Sequence, residues 1–177
     1  MLKDSMSEYF NRYIYKWKEF NETLPQTSWI EEAGNKLYVG EKDEEGYVSW
    51  LPVDKEEIYD FKVIEQKLNF SLNESVKAYF NSYYFFQLSG WIKEYNVNLN
   101  PVIPNIEPTR FIKKIIDYRQ EHGGELRYIP IGIESNGLLL VIDNSNGKVY
   151  LEDYERATYE EIHSSLEELI DELRFNE

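Results

Sequence analysis

Hydrophobic and polar residues alternate along residues 127–153, a pattern typical of β-strands with one buried face. Two Asn-Gly pairs, Asn136-Gly137 and Asn146-Gly147, interrupt the alternation, and both residue types tolerate the positive φ of tight hairpin turns. The alternating apolar positions are Ile129, Ile131, Ile133, Leu138, Leu140, Ile142, Val149 and Leu151. The stretch therefore predicts a three-stranded antiparallel meander, which anchors the fold and carries no catalytic signature.

Apolar residues that recur at three- and four-residue steps predict five helices elsewhere in the chain. The predicted helices cover residues 5–20, 54–68, 73–82, 107–121 and 159–174. Ser71 or Asn73 is expected to cap the third helix, and Thr158 with Glu161 forms a predicted capping box on the fifth.

Short runs rich in β-branched and aromatic residues complete the pattern. Residues 36–39 and 46–51 predict a hairpin around an acidic turn, and residues 83–88 and 91–99 predict two strands separated by Ser89-Gly90. No repeat or linker divides the chain. The order of elements predicts an α+β fold in a single domain over residues 1–177, with one curved antiparallel sheet and surrounding helices.

Acidic residues dominate the charge, with 33 Asp and Glu against 19 Lys and Arg and a net charge of −14. A nucleic-acid partner is not expected, because such binding depends on Lys and Arg that neutralise phosphates. Charged residues interrupt the first 20 positions, so neither a signal peptide nor a transmembrane segment is predicted. Since Cys is also absent, a reducing cytoplasm is the expected location.

Candidate chemistry is sparse. Only two histidines occur, and no nucleophile elbow, phosphate-binding loop or complete calcium-binding loop accompanies them. Adjacent acids such as Glu56-Glu57 and Glu167-Glu168 are typical of a solvated surface in so acidic a chain. We therefore predict no catalytic, cofactor-binding or metal-binding residue. The alternative of a hydrolase or metal enzyme requires a pocket that holds buried carboxylates close together.

Several segments together resemble a known family. They are Met6, Tyr9, Arg12, Tyr13 and Trp17; Trp50 and Pro52; residues 68–90; Ile129-Pro130-Ile131-Gly132; Ile142-Asp143; and Gly147, Val149 and Tyr150. At these positions the chain resembles the bacterial Syd proteins, the SecY-interacting branch of the SUKH superfamily. The resemblance spans almost the whole chain and implies an α+β fold and a non-catalytic binding module.

The resemblance implies a basic protein partner, which is either the cytoplasmic loops of the SecY translocon or a toxin module neutralised by an immunity protein. The acidic charge suits both partners. The many Asn, Ile, Lys and Tyr residues indicate an AT-rich coding sequence, unlike that of the enteric bacteria in which the translocon-binding protein is expected. This favours the immunity hypothesis, with peripheral association at the cytoplasmic face of the membrane under the SecY alternative. The predicted contact residues are Asp43, Glu44, Glu45, Trp50, Asp54, Glu56, Glu57, Asp60 and Trp91.

Overall fold

The computed structural model describes residues 1–175, and over that range the chain forms five α-helices and eleven β-strands. The helices are α1 (Leu2–Asn21), α2 (Phe61–Leu68), α3 (Glu74–Ser82), α4 (Thr109–Glu121) and α5 (Leu166–Glu172). The strands are β1 (Gln26–Ser28), β2 (Tyr38–Val39), β3 (Tyr47–Trp50), β4 (Val53–Asp54), β5 (Tyr83–Tyr84), β6 (Leu88–Ile92), β7 (Tyr95–Leu99), β8 (Tyr128–Glu134), β9 (Leu139–Asp143), β10 (Val149–Asp153) and β11 (Thr158–His163).

Six strands form one antiparallel sheet in the order β11-β10-β9-β8-β7-β6. Its centre is the predicted meander of β8, β9 and β10, and Gly137 and Gly147 adopt φ values of 96° and 76° in the two turns. The hydroxyl of Tyr95 on β7 donates to Glu160 on β11 at 2.7 Å, although three strands lie between them in the sheet order. Such a contact requires the sheet to curl into a half-barrel, which confirms the predicted α+β class with a curved antiparallel sheet.

One face of the sheet packs against helices α1, α3 and α5, and α4 joins the same core through Phe111 and Ile115. The predicted hairpin of the second region forms between β2 and β3, with β1 on the other side of β3. The aromatic run after Ala78 belongs largely to the core: Tyr79, Phe80 and Phe85 are all 0% exposed. Burial of these rings explains why so many aromatic residues cluster in that part of the sequence.

The second predicted helix, over residues 54–68, begins later than expected. Val53 and Asp54 instead form β4, which pairs with β5, and the helix starts at Phe61 after Asp60 accepts a hydrogen bond from the Lys62 amide at 3.0 Å. Between them, the amide of Tyr59 donates to the side chain of Asn81 at 2.8 Å. Pairing with distant parts of the chain has overridden the helical spacing. The third helix is as predicted, with Asn73 as its N-cap.

The predicted turn at Ser89-Gly90 is wrong. Both residues lie inside β6, and the chain turns instead at Lys93, whose φ is 52°. Gly90 is required in the strand because a Cβ there would lie 2.8 Å from the backbone oxygen of Arg174. The C-terminal segment packs directly on this position, so the glycine marks a close backbone approach.

The first part of the fifth predicted helix, over residues 159–174, forms a β-strand instead. Residues 158–163 form β11 against β10, and the helix begins only at Leu166, with Ser165 as its N-cap. The capping box predicted from Thr158 and Glu161 does not form. Pairing with β10 places Ile162 in the core at 3% exposure, which gives the first half of the segment a better way to bury its apolar residue.

Candidate protein-binding surface

The turn between β2 and β3 carries the first predicted acidic group. The carboxylate of Asp43 accepts hydrogen bonds from the amides of Glu45 and Tyr47, at 3.0 and 2.8 Å, and so fixes the turn. Gly46 completes it with a φ of 86°. Glu44 and Glu45 are exposed, and among residues 1–175 their carboxylates accept no hydrogen bond and form no ion pair. These two side chains are therefore the free charges of the turn.

The second acidic group follows β4. Asp54 pairs with the ammonium group of Lys3 at 2.5 Å, and Asp60 serves as the N-cap of α2. Glu56 and Glu57 are exposed, and within the described part of the chain neither takes part in a salt bridge. Ile58, which follows Glu57 in the same segment, is 74% exposed. The segment thus presents two free carboxylates beside an exposed apolar side chain.

Lys55, the only cation of this segment, is withdrawn from the surface. It is 5% exposed, and its ammonium nitrogen donates to the backbone oxygen of Phe80 at 2.9 Å. The same nitrogen lies 3.0 Å from the ring centre of Tyr59 and 4.6 Å from that of Tyr84. Burial lowers the pKa of Lys55 to about 7, and the nearby carboxylate of Glu57 opposes that shift. The exposed charge of the segment is consequently almost purely negative.

The two predicted tryptophans are not equivalent. Trp50 is 1% exposed and packs edge-on against Phe86 at 5.5 Å, so the structure corrects its placement among the surface contacts and assigns it to the core. Trp91 is half-buried on β6, where its backbone pairs with Arg174. Among residues 1–175, no hydrogen bond or ion pair joins Trp91, the turn at Asp43 or the segment after Asp54 to one another.

An aromatic pair at the acidic turn was missed by the sequence analysis. Trp29 stacks on Tyr38 with ring centres 4.5 Å apart, and both rings line an open groove of about 570 Å³. The amide of Trp29 donates to the oxygen of Gly46 at 3.0 Å, which places the groove beside Glu44 and Glu45. The one available signal was Trp29 itself, because its partner Tyr38 lies further along the chain, in β2. The aromatic groups at the acidic turn are therefore the half-buried ring of Trp29 and the exposed ring of Tyr47.

A buried carboxylate joins the end of α4 to the edge of the sheet. Glu152 is 2% exposed and accepts hydrogen bonds from the hydroxyls of Tyr118 and Tyr159, at 2.7 and 3.2 Å, and from the ring of His122. Burial, together with the Glu152 carboxylate, raises the pKa of Tyr118. This cluster ties α4 to β10 and β11. Over the described range, no group of three or more His, Cys, Asp and Glu side chains is arranged to hold a metal ion. The lack of catalytic and cofactor residues stays a prediction.

The remaining buried acids are each held separately. Glu107 accepts from the Phe111 amide at 3.0 Å, and Asp143 accepts from the hydroxyl of Ser145 at 2.6 Å. Glu134 accepts from the Asn136 amide at 2.8 Å in the first meander turn.

In residues 1–175, no helix is both long and apolar enough to cross a membrane.

The fold and the acidic segments define a class: an α+β protein with a curled antiparallel sheet and free carboxylates on its surface. The sequence profile of the family described as Syd protein (SUKH-2) matches residues 3–117 of the 177. The chain therefore belongs to the Syd family, and the resemblance predicted from the sequence is confirmed. It is also similar to Protein Syd of Idiomarina loihiensis, with 26% identity over 171 residues that cover 94% of this chain and 92% of that protein.

Proposed function

We propose that the protein is a non-catalytic binding module that contacts the basic cytoplasmic loops of the SecY translocon. Membership of the Syd family is the observation that carries this proposal, because it favours the SecY alternative over the immunity hypothesis that composition alone favoured. The protein then acts in the cytoplasm and associates peripherally with the inner face of the membrane. The whole chain, residues 1–177, is taken to act as one domain.

Charge complementarity supports the proposal. Cytoplasmic loops of membrane proteins carry an excess of Lys and Arg, and this chain has a net charge of −14. Four free carboxylates, those of Glu44, Glu45, Glu56 and Glu57, are the strongest candidates for direct contact. The aspartates at 43, 54 and 60 already bond within the chain, so we assign them a contribution to the local field.

Aromatic contacts complete the proposed surface. Trp29 replaces Trp50 as the proposed anchor because its ring lines an open groove beside the acidic turn. Trp and Tyr are enriched among residues that dominate binding energy, since they bury large areas at a low entropic cost. Trp91 remains a proposed contact of lesser weight, because it lies on β6 and shares no bond with either acidic segment.

Charge reversal tests this surface. We expect replacement of Glu44, Glu45, Glu56 and Glu57 by Lys to weaken binding to SecY in nanodiscs at about 0.1 M salt by more than about tenfold, which is about 1.4 kcal/mol. The melting temperature should change little, because all four side chains are exposed and unpaired.

The matched control reverses four exposed acids elsewhere, namely Glu8, Glu121, Glu125 and Asp171, with the same change in net charge. We expect the control to bind within about threefold of the wild type, since distant charges are screened within a Debye length of about 10 Å at 0.1 M salt. Equal losses in both variants would point to net charge alone, and unchanged binding in both would remove the proposed surface.

The immunity hypothesis makes a different prediction. An immunity protein should bind a secreted toxin module with no requirement for SecY, and cells that lack it should be sensitive to that toxin. Recovery of this protein in membrane pellets that depends on SecY and falls with salt would favour the translocon over the toxin.

A further inference from the structure

The six-stranded sheet has one closed edge and one open edge. At β6, the Trp91 amide donates to the Arg174 oxygen at 2.8 Å and the Arg174 amide donates back at 3.0 Å, so the chain's own C-terminal segment closes that side. At β11, no other backbone segment among residues 1–175 pairs with the outer edge. The first four residues of β11, Thr158 to Glu161, are exposed. An exposed edge of this kind presents unpaired backbone donors and acceptors to any extended chain.

Each face of the sheet carries one glutamate at the open edge. Tyr159 and Glu161 lie on one face, where their side chains contact Glu152 and Tyr150. Glu160 lies on the opposite face, where its carboxylate accepts from the Tyr95 hydroxyl. Because Tyr95 is uncharged, it leaves the charge of Glu160 uncompensated. Lys148 bonds to Glu161 at 3.0 Å and lowers the pKa of that carboxyl, and its ammonium group compensates the charge of Glu161.

The charge at this edge determines which kind of polypeptide segment can pair with β11. Successive residues of an added strand point to alternate faces, so a basic side chain on one face would meet the uncompensated Glu160, and its neighbour in sequence would face the Glu161–Lys148 ion pair. A second copy of this protein would bring the same two glutamates and a net charge of −14, and like charges opposite one another destabilise strand pairing. Charged edges protect against self-association for this reason, and the same charges attract a basic segment.

We propose that an extended basic segment of the protein partner adds to the sheet as a seventh strand along β11. This inference rests on the proposed function only in that the partner is a protein with basic loops; the edge itself is separate from the acidic segments at Glu44 and Glu56. Main-chain hydrogen bonds would supply affinity in this mode, and the uncompensated charge of Glu160 would supply selectivity.

Backbone methylation separates strand addition from simple charge attraction. The probe is a ten-residue peptide from the most basic cytoplasmic loop of SecY. Two further versions carry N-methyl groups on alternate backbone nitrogens, one at the odd-numbered positions and the other at the even-numbered positions. An added strand directs alternate N–H groups towards its neighbour, so one phase should weaken binding at least about tenfold and the other less than about threefold. Charge attraction alone would give the same affinity for both methylated peptides. Equal binding of the two would therefore overturn the proposal.

Hydrogen exchange with whole SecY in nanodiscs provides the second readout. We expect amides within residues 158–161 to gain protection on binding. Glu160→Lys should weaken binding at least about fivefold, whereas Glu155→Lys, the same charge change in the exposed preceding turn, should have less than about a twofold effect.

The outcomes distinguish the two proposals. Binding of SecY without protection at residues 158–161 would overturn strand addition and leave the proposed function standing. If neither SecY nor the unmethylated peptide bound, both proposals would fall together.

Discussion

Gly90→Ala should detach the C-terminal segment from the edge of β6. The new Cβ would lie 2.8 Å from the backbone oxygen of Arg174 and 3.3 Å from Cβ of Leu173. Neither atom is the end of a flexible side chain, so the segment itself must move. That movement breaks the two backbone hydrogen bonds between Trp91 and Arg174.

The cost follows from those contacts. Two backbone hydrogen bonds at about 1 kcal/mol each give a loss of about 2 kcal/mol in the free energy of unfolding. Leu173 is 0% exposed, and its displacement would raise the loss to about 4 kcal/mol. Gly90 does not have a positive φ, so backbone strain adds nothing to this figure. Urea denaturation with an unchanged m-value measures the loss.

A double-mutant cycle isolates the cause. In a chain that ends after Leu173 the clashing oxygen is absent, and Gly90→Ala should then change stability by less than about 1 kcal/mol or increase it slightly. A full loss of about 2 kcal/mol in the shortened chain would refute the reasoning. Faster hydrogen exchange at the Trp91 amide in the full-length variant is the expected companion result.

Three further substitutions test other contacts. Burial lowers the pKa of Lys55 from 10.5 to about 7, so between these values the unfolded chain binds more protons and stability rises with pH. Lys55→Met should remove that slope, which is at most about 1.4 kcal/mol per pH unit, in urea denaturation at pH 7 and pH 9. Tyr118→Phe should lower the unfolding free energy by about 1.5–3 kcal/mol, because it removes a hydrogen bond to the buried Glu152; an unchanged value would show that the bond contributes nothing. Asn73→Ala should cost about 1 kcal/mol by thermal denaturation, since it removes the cap of α3.

Local patterns predicted the parts of the fold that local chemistry determines. The Asn-Gly pairs located both meander turns, and Asn73 located the start of α3. β11 was mistaken for helix because Ile162, Leu166 and Leu169 also fit a helical spacing. The strand forms as the second arm of a hairpin with β10, and it lacks the alternation of a half-buried strand because its first four residues are all exposed.

The candidate site was harder to predict, because exposure depends on the folded chain. The free glutamates at 44, 45, 56 and 57 could be named from sequence, although composition could not say which acids bond within the chain. Trp50 and Trp29 carry the same side chain, yet one packs in the core and the other lines a groove. Lys55 lies among acids, where a surface ion pair is the ordinary expectation, and its burial between two tyrosine rings arises from the pairing of β4 with β5.

The proposed function requires that this chain bind SecY. Affinity capture from lysate of the source cell at low salt, with mass spectrometry of the retained proteins, is the decisive experiment. We expect recovery of SecY, with loss of that recovery at high salt and in the variant reversed at residues 44, 45, 56 and 57. Recovery of the C-terminal toxin module of a secreted protein, without SecY, would contradict it and establish the immunity hypothesis instead.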